Sequence, residues 1–112
     1  MGEEVRSGGV RITFDANTPP VAYGAGKLTA ALTTAAYALD DNGASIVRIE
    51  VVRDAELSSA ESFRVVRADK GSLVIHGGGP SGAMYGALSV ADNIRNGTKL
   101  SNIGRVAFPS AQ

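Results

Sequence analysis

The feature that most constrains this chain is a change of hydrophobic period, from that of a strand to that of a helix and back, within its first half. Val10-Arg11-Ile12-Thr13-Phe14-Asp15 alternates, with Val10, Ile12 and Phe14 on one side, as a strand with one buried face does. Leu28, Ala31, Leu32, Ala35 and Leu39 then recur at helical spacing. This predicts a helix over 27–39 with one apolar stripe. Residues 46–53 return to β-branched alternation, Val47, Ile49 and Val51 forming the apolar side. Strand, helix and strand in succession predict a right-handed crossover and a parallel pair. Pro19 and Pro20 are expected to break the first strand. Gly24 and Gly26 are expected to loosen the helix entry, and Gly43 to stop the helix in a left-handed conformation.

The second half reads in the same way. Residues 54–60 form a surface loop, 62–67 a third strand and 72–76 a fourth. Asp69-Lys70-Gly71 is a tight turn, with Gly71 suited to a bulged left-handed position. Gly77-Gly78-Gly79-Pro80-Ser81-Gly82 leads into a second helix over 81–95, whose buried stripe is Met84, Ala87, Leu88, Ala91 and Ile94. Ser81 is its N-cap, or Pro80 its first residue, and Asn96-Gly97 closes it. The order β-α-β-β-β-α predicts an α+β fold. Its mixed four-stranded sheet would carry both helices on one face, with the later strands joined as antiparallel hairpins. The other face would carry Arg11, Thr13, Arg48, Glu50, Arg64 and His76 among Ile46, Val52, Val66 and Val74. Residues 1–9 read as a frayed start, 10–97 as the domain, and 98–112 as an extension with one short apolar piece, Val106-Ala107-Phe108, before Pro109.

Composition narrows the chemistry. Eleven Lys and Arg balance eleven Asp and Glu over the 112 residues, which argues against a nucleic-acid partner held by its phosphates. The absence of cysteine removes disulfides, thiolate metal sites and a cysteine nucleophile. No apolar run approaches a membrane span, and Met1-Gly2-Glu3-Glu4-Val5-Arg6 is not a signal peptide.

Few residues suggest a reaction. Gly77–Gly82 fits G-x-G-x-x-G and opens a helix, where amides and the helix dipole favour an anion. A dinucleotide fold would also need a parallel strand ending in Asp or Glu about 20 residues on. Asp92 instead falls inside the helix, so close packing is the preferred reading of the glycines. His76 is the single histidine, too few for a two-histidine zinc motif, and its alternation puts it on the open face. Asp40 and Asp41 diverge at a helix end, Glu50 sits among arginines, and Asp15 and Asp69 are strand-end or turn residues. None makes an acid–base pair. The sequence nominates no catalytic, cofactor-binding or metal-ligating residue.

Glu61-Ser62-Phe63-Arg64-Val65, then Leu73-Val74-Ile75-His76-Gly77, then Gly82-Ala83-Met84-Tyr85-Gly86-Ala87-Leu88 resembles the small N-terminal domain that precedes the catalytic barrel of certain glycoside hydrolases. These include β-N-acetylhexosaminidases of family 20, α-glucuronidases of family 67 and related bacterial enzymes. The resemblance is strongest over residues 61–97. It implies a zincin-like α+β fold without the metal centre, no catalytic residues in this domain, and a partner (β/α)8 barrel that carries the chemistry. It also implies a periplasmic or extracellular parent. Residues 105–109 would approach the barrel. The expected role is therefore a non-catalytic accessory domain. An anion- or nucleotide-binding module using Gly77–Gly82 is the alternative, and carbohydrate binding on the open face around Arg48, Arg64 and His76 is a third.

Overall fold

The computed structural model describes residues 9–52, 57, 59–69 and 71–104. Its elements are β1 (Val10–Thr13), α1 (Pro19–Thr34), β2 (Ser45–Val51), β3 (Phe63–Asp69), β4 (Ser72–Gly77) and α2 (Pro80–Arg95), followed by a 3-10 turn over Leu100–Asn102. The fold is α+β, with two helices beside an open four-stranded mixed sheet.

The sheet order is β1-β2-β4-β3. β1 pairs parallel with β2, as a strand–helix–strand unit requires. β3 and β4 form the expected antiparallel hairpin, with a register shift between Arg67 and Asp69. The expected antiparallel pairing of β2 with β3 does not occur: β4 lies between them, parallel to β2. The reason lies in β4 itself. Leu73, Val74 and Ile75 are all buried, and such a continuous apolar run suits a central strand with neighbours on both sides. Residues 52–62 are long enough to let the chain skip one place and return.

Proline opens each helix, so α1 starts well ahead of the expected residue 27, while α2 starts at Pro80, one of the two expected first positions. Pro19 and Pro20 begin α1, and Pro80 begins α2. The N–H that proline lacks is unneeded in a first turn. Gly24 is therefore inside α1, not ahead of it. It serves close approach: a Cβ there would lie 3.0 Å from Ala87 Cβ and 3.1 Å from Met84 Cα. Val21, Ala25, Leu28, Ala31 and Leu32 of α1 meet Ala83, Ala87, Val90, Ala91 and Ile94 of α2 in one core with Val10, Val47, Ile49, Leu73 and Ile75.

Both helices end in the same device. In α2, Gly97 N–H donates to Ile94 and Thr98 N–H to Asn93, with Gly97 at φ +97°. In α1, Ala36 N–H donates to Thr33 and Tyr37 N–H to Leu32, with Ala36 at φ +74°. These are paired Schellman bonds. Alanine at the left-handed position carries no sequence signal, so the helix stops short of Leu39, which instead bridges Val10. Gly43 is not left-handed, nor is Gly71.

Core packing continues beyond Gly97. Leu100 and Ile103 are buried. The Arg67 guanidinium donates to Leu100 O at 2.6 Å and Ile103 O at 3.0 Å. Leu100 N–H donates to the Tyr37 hydroxyl at 3.0 Å, and Arg67 N–H to Gly104 O at 3.2 Å. The expected frayed start, the Lys70 turn position, Arg53 and the 105–109 piece lie outside the described residues.

The two helix stops make a matched test. A non-glycine residue in the left-handed region costs about 1–2 kcal/mol. Ala36→Gly should raise stability by about 0.5–1 kcal/mol, offset in part by unfolded-chain entropy, and Gly97→Ala should lower it by about 1 kcal/mol. Urea denaturation midpoints of the two variants check both signs.

Candidate functional site

Three places could carry function, and all depend on strand ends or on the sheet face that the helices leave uncovered. The first is the strand-to-helix junction at Gly77–Gly82. An anion loop needs free amides. Here Gly78 N–H donates to Ser62 O and Gly82 N–H to Ala60 O, both at 2.9 Å, while Ala83 N–H donates to Gly79 O. The backbone of residues 59–62 lies directly on the glycines. A Cβ on Gly78 would overlap Ser59 O, one on Gly82 would overlap Ser62 O, and one on Gly79 would lie 2.9 Å from Ala60 Cβ. Gly79 itself is extended, so space and not backbone angle demands glycine. The groups aimed at the helix start are carbonyl oxygens, which would repel phosphate. The Gly78 and Gly82 amides, which an anion or nucleotide loop would use, are taken up by these carbonyls. Close packing accounts for the motif.

The second place is the uncovered sheet face. Register places Arg11 beside Ile46, Arg48 beside Thr13 and Val74, and His76 between Glu50 and Arg64. Arg48 Nε lies 3.3 Å from Glu50 Oε2, and His76 Nε2 lies 3.5 Å from Glu50 Oε1. His76 Nδ1 is buried with no hydrogen-bond partner among the described residues. A triad would need that nitrogen oriented by a carboxylate, so the geometry is that of a cross-strand ion network.

The third is a cleft of about 470 Å³ lined by Asp15, Thr18, Val21, Ile49, Glu50, Val51 and Pro80. It lies past the carboxyl ends of β1 and β2, where both helices begin. Sequence reading kept Asp15 and Glu50 apart; the parallel β1–β2 pair brings them to one cleft. Their settings do not suit acid–base work. Asp15 accepts from the Thr18 hydroxyl at 2.8 Å and the Asn17 amide at 2.9 Å. These bonds, the hydroxyl first, hold its carboxyl below the usual range. A general acid needs the opposite shift, and Glu50 is committed to Arg48 and His76.

Other expectations resolve simply. Tyr85 is 42% exposed and Tyr23 is 54% exposed. Tyr37 is drawn inward to hold Leu100. Among the described residues no three His, Cys, Asp or Glu side chains converge as metal ligands, and no helix is long and apolar enough to cross a membrane.

Gly78→Ala or Gly82→Ala forces the 59–62 backbone away and should destabilise by about 1–3 kcal/mol. ATP, NAD or phosphate should move no amide resonance between Gly78 and Ala83. For Asp15, a depressed carboxyl adds stability above its unfolded pKa, and that stability is lost as pH falls through the folded value. Thr18→Val should therefore raise the Asp15 carboxyl titration toward the usual range, as read by carboxyl NMR chemical shifts against pH.

No protein-family model matches the chain, and no curated protein matches it. Solved structures do. One is a family GH138 enzyme targeting pectin rhamnogalacturonan II, with a TM-score of 0.65 and 17% identity, covering 89% of this chain and 11% of that one. Another is a family GH115 4-O-methyl-α-glucuronidase with specificity for decorated arabinogalactans, with a TM-score of 0.62 and 18% identity, covering 77% of this chain and 13% of that one. Neither is of family 20 or 67. The chain spans only a small part of either neighbour, and what it shares with each is a fold found within glycoside hydrolases.

Proposed function

We propose that this chain is a non-catalytic accessory domain of a glycoside hydrolase, of the α-glucuronidase rather than the hexosaminidase type, which packs against the enzyme's catalytic barrel. The observation that carries the reading is the shared fold: 89% and 77% of this chain superimpose on small fractions of two glycoside hydrolases. The second neighbour's own activity favours the glucuronidase type. The settings of Asp15, Glu50 and His76 support a domain whose enzyme does its chemistry elsewhere.

The helix layer offers the better surface for packing on a barrel. Interface cores are depleted in charge and enriched in tyrosine and methionine. On the outer side of α1 and α2 lie exposed Tyr23, Gly26, Ala30 and Tyr85, with Met84 and Leu88 half-buried. Lys27 stacks on Tyr23 at 5.4 Å, and Asp92 and Arg95 neutralise each other at 2.8 Å. The opposite, sheet side is charged, and would remain in solvent.

The isolated chain should not turn over aryl glycosides of glucuronic acid or N-acetylglucosamine. Turnover that a substitution in this chain abolishes would overturn the reading. Tyr23→Ser with Tyr85→Ser should leave the isolated domain folded and weaken its association with a separately produced catalytic barrel of this enzyme type, measured by calorimetry.

A further inference from the structure

β1, β2 and β4 run parallel, so their carboxyl ends share one rim of the sheet. The crevice outside such a rim is where open sheets hold ligands. The cleft there, of about 470 Å³, has the size of a small-molecule site. Buried Val21 and Ile49 close its floor. Its walls are accessible: Val51 is 47% exposed, and Pro80 is exposed as well. Asp15 stands at its edge, exposed, and pairs with no cation among the described residues. Its partners are neutral: Oδ1 accepts from the Asn17 amide and Oδ2 from the Thr18 hydroxyl. These bonds fix the carboxylate and favour its charged form. The Glu50 carboxylate, by contrast, is taken by Arg48 and His76.

Donors are scarce in this cleft. Helix starts ordinarily point amides into such a crevice. Here Pro19, Pro20 and Pro80 fill the first positions of α1 and α2, and proline has no N–H. The Gly82 and Ala83 amides donate to Ala60 O and Gly79 O. No lysine, arginine or histidine lines the cleft. We propose that it binds an organic cation, a guanidinium or ammonium head on a short apolar stem, with the head on Asp15 and the stem against Val51 and Pro80. Each Asp15 oxygen has one partner and keeps one acceptor position. A fork of two N–H groups fits that pair of positions. An anion would meet a carboxylate with no donor to offset it. The head belongs either to a free small molecule or to an arginine side chain of another protein, and the chemistry of recognition is the same. The site goes beyond the accessory-domain reading and does not rest on it.

The test is a titration of the 112-residue chain with n-butylguanidinium chloride, followed by amide NMR and the Asp15 carboxyl resonance. Saturable shifts are expected at Asp15, Asn17, Thr18, Val21 and Val51. The neutral isostere n-butylurea should bind at least about tenfold more weakly, and so should methylguanidinium, which lacks the stem. Asp15→Asn keeps an acceptor for Thr18 and Asn17, and should cost about tenfold with amide dispersion unchanged. Val51→Ser should weaken n-butylguanidinium by about threefold and leave methylguanidinium unchanged. No saturation up to roughly 50 mM, or shifts confined to other surfaces, overturns the proposal. Equal binding of n-butylurea, or unchanged affinity in Asp15→Asn, overturns it too. Acetyl-arginine amide separates the sources. Tighter binding than n-butylguanidinium assigns the head to a partner chain, weaker binding assigns it to a small molecule, and both uphold the site. A silent titration leaves the accessory role standing, whereas turnover by the chain itself overturns that role and leaves the site standing.

Discussion

The whole arrangement depends on how closely two helices can lie on one sheet. The seam between α1 and α2 is built from Gly24, Ala25, Ala83 and Ala87, and Gly86 places α2 against Ile75 and Phe63. Small residues bring the helix backbones together, and the larger Leu28, Leu32, Val90 and Ile94 are buried in the core they share with the strands. With both helices confined to one face, the other is left to polar residues. That division leaves the molecule with two surfaces of different character. A leucine at Gly24 or Ala87 would push the helices apart and open the core to water.

The same demand for closeness decides the fate of the glycine loop. A strand that turns straight into a helix exposes amides, and such amides either bind an anion or find carbonyls. Here residues 59–62 supply the carbonyls, at Ala60 and Ser62. Residues 59–62, which lead into β3, therefore cover the helix start. Sheet order and loop packing are thus one event: with β3 paired to β2, this segment would not cross the junction. A motif that suggests nucleotide binding in isolation is explained by the topology around it.

Much of this was legible in the residues. Alternation in β1 and β2, the hairpin at β3–β4, and the Asn96-Gly97 stop all carry local signals that tertiary structure leaves intact. What was not legible shares a cause. Ala36 takes a left-handed turn without a residue that advertises it, because Leu32 and Tyr37 hold the bonds on both sides. Pro19 and Pro20 are compatible with a strand break and with a helix start, and only the buried Val21 two positions on decides between them. Leu100 and Ile103 look like an isolated apolar pair until Arg67, more than thirty residues away, binds their carbonyls. The central place of β4 shows in its unbroken Leu73-Val74-Ile75 run, which does not alternate as a half-buried strand does. The meeting of Asp15 and Glu50 is a matter of register, which no local pattern encodes.

Charge distribution links the fold to its use. Eleven positive and eleven negative residues would mean little if they were evenly mixed. On α1 the one charged residue, Lys27, lies against Tyr23. Carboxylates gather at strand and helix ends: Asp15 and Asp40 bind nearby backbone amides, and Asp92 binds Arg95. The sheet face collects arginine from three strands and histidine from the fourth. An exposed lysine or aspartate on the helix layer would be harmless to a free domain but costly inside a packed interface. On the sheet the charges are instead set against one another, Glu50 taking Arg48 and His76, and a neutral total conceals this difference between the layers.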